Sequence, residues 1–186
     1  MKRFMKLCIV LALGRVVGSC GGSSTLDNSA ATVFLTVDIS AYNPDVDVCL
    51  QQVDLAIENM EITSNTKDPG GTTSAAQDVN LTRWVIKPYR TDGGNTASPE
   101  WSYDQAVFVP SGGSASLENY RIYPFEYLSE VPIAYLFPQN GGFDPETGNT
   151  NIRQSFELTI YGKTVSGKSV ATTPVPVAFN FYCNGQ

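Results

Sequence analysis

The sequence contains no histidine, and that one absence removes a large share of enzyme chemistry. Ser-His-Asp and Cys-His nucleophile pairs, imidazole acid–base catalysis and histidine metal sites are all excluded. Long apolar runs are missing as well. The longest near the start, Leu7 to Leu13, is too short to cross roughly 30 Å of hydrocarbon, which takes about 20 residues in a helix. Basic residues are few and unevenly placed. Four of the twelve lie in the first nineteen positions, where no acidic residue occurs, so the rest carries eight basic against eighteen acidic side chains, a net charge of −10. An acidic surface with no basic run argues against nucleic acid and anionic headgroups as partners. Helical periodicity is absent too; the one candidate, Ser129 to Phe137, meets Pro132 early and Pro138 after it, leaving room for a turn or two.

What is present starts at the N-terminus. Lys2, Arg3 and Lys6 precede the short apolar run, the pattern of a secretory signal. Its end, Val17-Gly18-Ser19-Cys20, resembles the lipobox of bacterial lipoproteins, with Arg15 a departure from the usual pattern. That resemblance implies a signal peptide at 1–19, removed by cleavage before Cys20. It implies a diacylated Cys20 thiol and a further acyl chain, such as palmitate, on the new amine. Gly21 to Ser24 then form a flexible tether within residues 20–30. Several acyl chains exceed what stable anchoring requires. By the same resemblance, glycine at position 21 points to the outer membrane of the cell envelope. The alternative is a plain signal peptide with an incidental cysteine.

Residues 31–186 read as one domain of alternating, two-residue periodicity. Strands are expected in "TVFLTVD", "VDLAIENMEIT" with a slip near Asn59, and "DVNLTRWVIKPYR" with a similar slip. Further ones are "AVFV" from Ala106, "SASLEN" from Ser114, "YRIYPFEYL" from Tyr120, "SFELTIYG" and "PVPVAFNFYC". Turn signals separate them, including "KDPGG", "TDGGN", "PSGG" and "VSGK", and two stretches rich in such residues read as long exposed loops. About seven or eight short strands without helices make an all-β, antiparallel sandwich. The order of these pieces resembles uncharacterised single-domain bacterial lipoproteins, which implies an immunoglobulin-like sandwich and no established activity. Cys49 and Cys183 remain in an exported domain, where a disulfide is the expectation. Cys183 continues the inward face of Val175, Val177, Phe179 and Phe181.

Four patterns invite chemistry. Gly162 to Ser169 matches the P-loop spacing, but prolines and a period-two strand follow where a phosphate-cradling helix is needed. A hairpin turn is expected, and no nucleotide. Asp144, Glu146, Asn149 and Asn151 offer oxygens for calcium at a spacing unlike an EF-hand loop, so a polar turn is the simpler reading. Asp45 and Asp47 look like a solvated edge. Trp101 and Tyr103 alternate in "SPEWSYD" and share a face; exposed, they would stack on sugars, and packed down, they would cover a core edge. Trp84 belongs to the core. No catalytic residue, metal ligand or cofactor is assigned. The reading is a noncatalytic envelope module whose partner is an envelope protein or a glycan, with carbohydrate binding through Trp101 and Tyr103 as the alternative.

Overall fold

Alternation lets one face of an extended chain bury while the other meets water, and among the described residues it produces nine strands. The computed structural model describes residues 30–184; the signal segment, Cys20 and the glycine tether lie outside the described residues. Strands β1 (Val33–Tyr42), β3 (Leu55–Thr66) and β6 (Ser114–Tyr123) form one antiparallel sheet in the order β1-β3-β6. The second sheet holds β2 (Asp45–Asp47), β4 (Val79–Arg90), β5 (Trp101–Val109), β7 (Asn151–Thr164) and β9 (Val175–Tyr182), in the order β2-β9-β7-β4-β5. A short β8 (Ser169–Ala171) pairs with β7. Among the described strands β2 runs parallel to its neighbour, β9, and the other paired strands run antiparallel. The inner faces meet as Leu35, Ile57 and Ile62 against Trp84, Phe156 and Phe181, all essentially sealed from water. Among the described residues no helix is long and apolar enough to cross a membrane.

The slips in periodicity are register shifts that keep apolar residues inward. In β4 the shift falls between Leu81 and Arg83 against both neighbours, so Gln105 and Ala106 of β5 together face Thr82. This bulge turns the Gln105 carbonyl to accept the Trp84 Nε1–H at 3.1 Å, satisfying the indole's one donor inside the core. In β3 the phase changes at Glu58–Asn59, where two successive residues face water.

Several expectations are corrected. "SASLEN" and "YRIY" are one strand, β6, rather than two. Asn119 adopts a positive φ of 47°, which re-phases the alternation from Leu117 to Tyr120 without ending the strand. The following "PFEYL" is no strand: Phe125–Leu128 makes a short helix, α1. The count rises to nine because β2 and β8 have three residues each. The Trp101 strand begins five residues before Ala106.

Gly162 to Ser169 is the expected hairpin. It comprises the end of β7, a turn, and β8 paired back from Ser169 to Lys163. Both glycines of the P-loop-like pattern have structural causes. A Cβ at Gly162 would collide with the Asn80 carbonyl and Leu81 Cα beside the β4 bulge, and Gly167 sits at φ 84° in the turn. The Lys168 N–H donates to Thr164 Oγ1 at 3.0 Å, while its exposed side chain points from the turn. Lys168→Ala should therefore change stability by no more than about 0.5 kcal/mol in denaturant unfolding. Calorimetry should give no saturable ATP signal that the substitution removes.

Candidate functional site

Trp101 and Tyr103 do share one face, and it is the inner one. Their rings stack at 4.4 Å, and Tyr103 stacks at 5.9 Å on Trp84, which lies 4.6 Å from Tyr120. The Arg121 guanidinium carbon sits 5.6 Å from the Trp101 ring, and the Tyr103 hydroxyl donates to the Arg121 carbonyl at 3.1 Å. Burial pushes the Tyr103 phenol pKa up. The two rings thus close the edge between the sheets, where β5 and β6 diverge, and their faces meet protein. This geometry matches the core-edge alternative.

The most elaborate polar arrangement is at the opposite end of the sandwich from Val33. Arg90 occupies an inward position at the end of β4, with its side chain only 1% exposed. Its Nε and Nη2 donate to the two carboxylate oxygens of Asp92 at 2.8 and 2.9 Å, and Nη2 also donates to Asp144 Oδ2 at 2.6 Å. Gly94 closes over the guanidinium; a Cβ there would overlap it. Asp92 also accepts the N–H groups of Gly94 and Arg153, and Asp144 those of Glu146 and the Thr147 hydroxyl. Burial raises both carboxyl pKa values, but the Arg90 bonds and these further donors outweigh it and hold both below the ordinary range. Burial also works to lower the Arg90 pKa, and its two carboxylate partners override it.

This clamp changes one sequence reading and fits another, the polar turn expected at Asp144 to Asn151. "TDGGNTASPEWS" is no free loop, since Ser98 is buried and exchanges two 2.9 Å hydrogen bonds with the buried Gln154 amide. The Tyr123 hydroxyl donates to the Pro99 carbonyl. In the loop of Asp144 to Asn151, the carboxylates turn to protein donors. Glu146 accepts from the Asn95 and Thr96 N–H groups and the Thr96 hydroxyl, which keeps its pKa low. No group of three ligating side chains forms among the described residues.

Asp47 is likewise no solvated edge. It is 4% exposed, and its Oδ1 accepts the N–H groups of Cys49 and Leu50 at 3.0 and 3.2 Å, while Oδ2 accepts that of Asn184 at 3.3 Å. Asp45 stays exposed and accepts from Asn180. Asp47 thereby fixes the turn that carries Cys49 beside the end of β9, where Cys49 and Cys183 form the expected disulfide with Cα atoms 5.1 Å apart.

The fold and its polar clusters define an all-β protein of two packed sheets, closed by a disulfide and a buried carboxylate–guanidinium clamp. No family model matches the chain, and no curated protein matches it. A solved structure titled "X-ray structure of Northeast Structural Genomics Consortium target SoR45" is similar over 83% of this chain and 88% of that one, at 11% identity and a TM-score of 0.37.

Proposed function

We propose that this chain is a lipid-anchored, noncatalytic module of the bacterial envelope, held to the outer membrane through acylated Cys20 and built as an immunoglobulin-like sandwich. The observation that carries the anchor is the stretch Val17-Gly18-Ser19-Cys20 after a charged, briefly apolar leader. Strand order supports the immunoglobulin-like type. Setting aside the two three-residue strands, the first, second and fifth strands share one sheet and the third, fourth, sixth and seventh share the other, the fourth lying in the opposite sheet from its place in a constant-type domain. The bridge differs from that of antibody domains, since it ties the turn after β2 to the end of β9. The noncatalytic reading is supported by the lack of histidine and by carboxylates committed to structural donors. The module serves by contact, with an envelope protein or a glycan as partner.

Cys20→Ser tests the anchor. The substituted chain should lose acylation and leave the membrane fraction or remain as uncleaved precursor. Mass spectrometry of the detergent-extracted parent should show a lipidated N-terminal cysteine. An unmodified mature chain starting at another residue would overturn the reading.

A further inference from the structure

The outer face of the larger sheet holds an arginine with nothing to bind. Arg83 pairs with Asp104 and Arg90 is locked in the clamp, but Arg153, exposed on β7, makes no side-chain hydrogen bond or ion pair among the described residues. It lines a cleft of about 260 Å³ with Asp92, Asn149 and Asn151. The cleft's groups are pre-set. Asn151 Nδ2 donates to Asn180 Oδ1 at 2.7 Å, and Asn180 Nδ2 donates to Asp45 Oδ1 at 3.0 Å, which fixes the Asn151 amide and leaves its carbonyl oxygen free to accept. Asp92 is held by Arg90 and by the backbone of Arg153 itself.

Strand register adds two aromatic rings on the same face. Tyr182 of β9 lies opposite Asn151, and Tyr89 of β4, 41% exposed, lies opposite Ser155, one diagonal step from Arg153. Beside Tyr89 the floor is small, with Ser155 opposite Ala178, and the row between the two tyrosines holds Arg153 opposite Asn180. An unpaired guanidinium selects a carboxylate in bidentate geometry. Carboxamides beside it match arrays of hydroxyls, and tyrosine faces suit the apolar side of a sugar ring. A cleft this polar offers little to an apolar side chain or an acyl chain.

We propose that this cleft binds an acidic saccharide, with a ring carboxylate on Arg153, hydroxyls on Asn149 and Asn151, and neighbouring sugar units against Tyr89 and Tyr182. The site lies at the end of β7 away from the β1 start, which sits beside β8 through the Leu35–Thr172 bridge. A chain tethered through its N-terminus would therefore present the cleft outward. The inference names the partner of the module proposed above. It does not depend on lipidation, because Cys20→Ser alters the anchor alone and the substitutions below alter the cleft alone.

The test is calorimetric titration of the full-length protein in detergent with a linear tetramer of uronic acid and with a neutral tetramer of the same linkage. The acidic tetramer should bind saturably, and the neutral one at least about tenfold more weakly, the loss expected when a charge-assisted bond is removed. Arg153→Gln should weaken the acidic tetramer by a similar factor at an unchanged melting temperature, since its side chain holds nothing in the fold. Tyr89→Ser should weaken it severalfold, and Lys87→Gln, which is paired with Glu100 on the same face, should leave it unchanged. Equal binding of both tetramers, indifference to Arg153→Gln and Tyr89→Ser, or no saturable heat from the acidic tetramer would each overturn the assignment.

Discussion

Reduction of the Cys49–Cys183 bond, or Cys183→Ser, should lower the unfolding free energy by about 3–5 kcal/mol and the melting temperature by roughly 10 °C. The bond spans 134 residues, so in the chain-entropy account it withdraws a large amount of freedom from the unfolded chain. That loss is comparable to the whole net stability of many domains. The folded side points the same way. β2 has only three residues to pair with β9, and Asp47 gathers the N–H groups of Cys49, Leu50 and Asn184 around the bridge. Without the bond, that parallel pairing and the turn after it should fray first. Calorimetry with and without reductant measures the effect, and Cys20→Ser should leave the melting temperature where it was. Two titratable thiols in unfolded, unreduced protein, or a melting temperature indifferent to reductant, would refute the bridge.

How much of this was legible depends on distance along the chain. Strands read well because alternation is a local signal, and even the slips at Asn59 and after Leu81 mark the register shifts in β3 and β4. The bridge was legible by elimination among four cysteines, with the parity of Cys183 as support. β2 and β8 were not, because three residues carry no period. Asp47 was misread for a related reason: its partners are backbone N–H groups, which leave no trace in a sequence. The clamp joins residues 54 positions apart and was not anticipated, although a local signal for it exists. Arg90 follows Trp84, Ile86 and Pro88 on the inward parity of β4, and an arginine on a core-facing parity demands a carboxylate. What the sequence could not name was which one.

Arg90→Met should cost about 3–5 kcal/mol at neutral pH, because it strands two carboxylates that burial has already taken from water. The Asp92 and Asp144 side chains are 9% and 0% exposed, so solvent cannot replace the lost donors. Arg90→Met combined with Asp92→Asn and Asp144→Asn should cost less than Arg90→Met alone, since removing stranded charges relieves the penalty and neighbouring substitutions do not add. The pH dependence carries a definite sign. Both carboxyls are held below their unfolded values in the native protein, so they bind fewer protons folded than unfolded. Their contribution is complete above the unfolded carboxylate range near pH 4, and it is lost as pH falls through the lower native values. Arg90 itself, raised from an already high value, stays charged throughout that window. The stability gap between the parent and Arg90→Met should therefore be widest near neutrality. It should shrink as pH falls toward about 4, because the stranded carboxyls of the variant take up protons, and shrink further below that as the parent loses its clamp. Denaturant unfolding of both proteins from pH 7 to pH 2.5 reads this directly. A gap that is constant with pH, or one under about 1 kcal/mol at pH 7, would mean that the clamp contributes packing alone and that its charges are balanced by solvent.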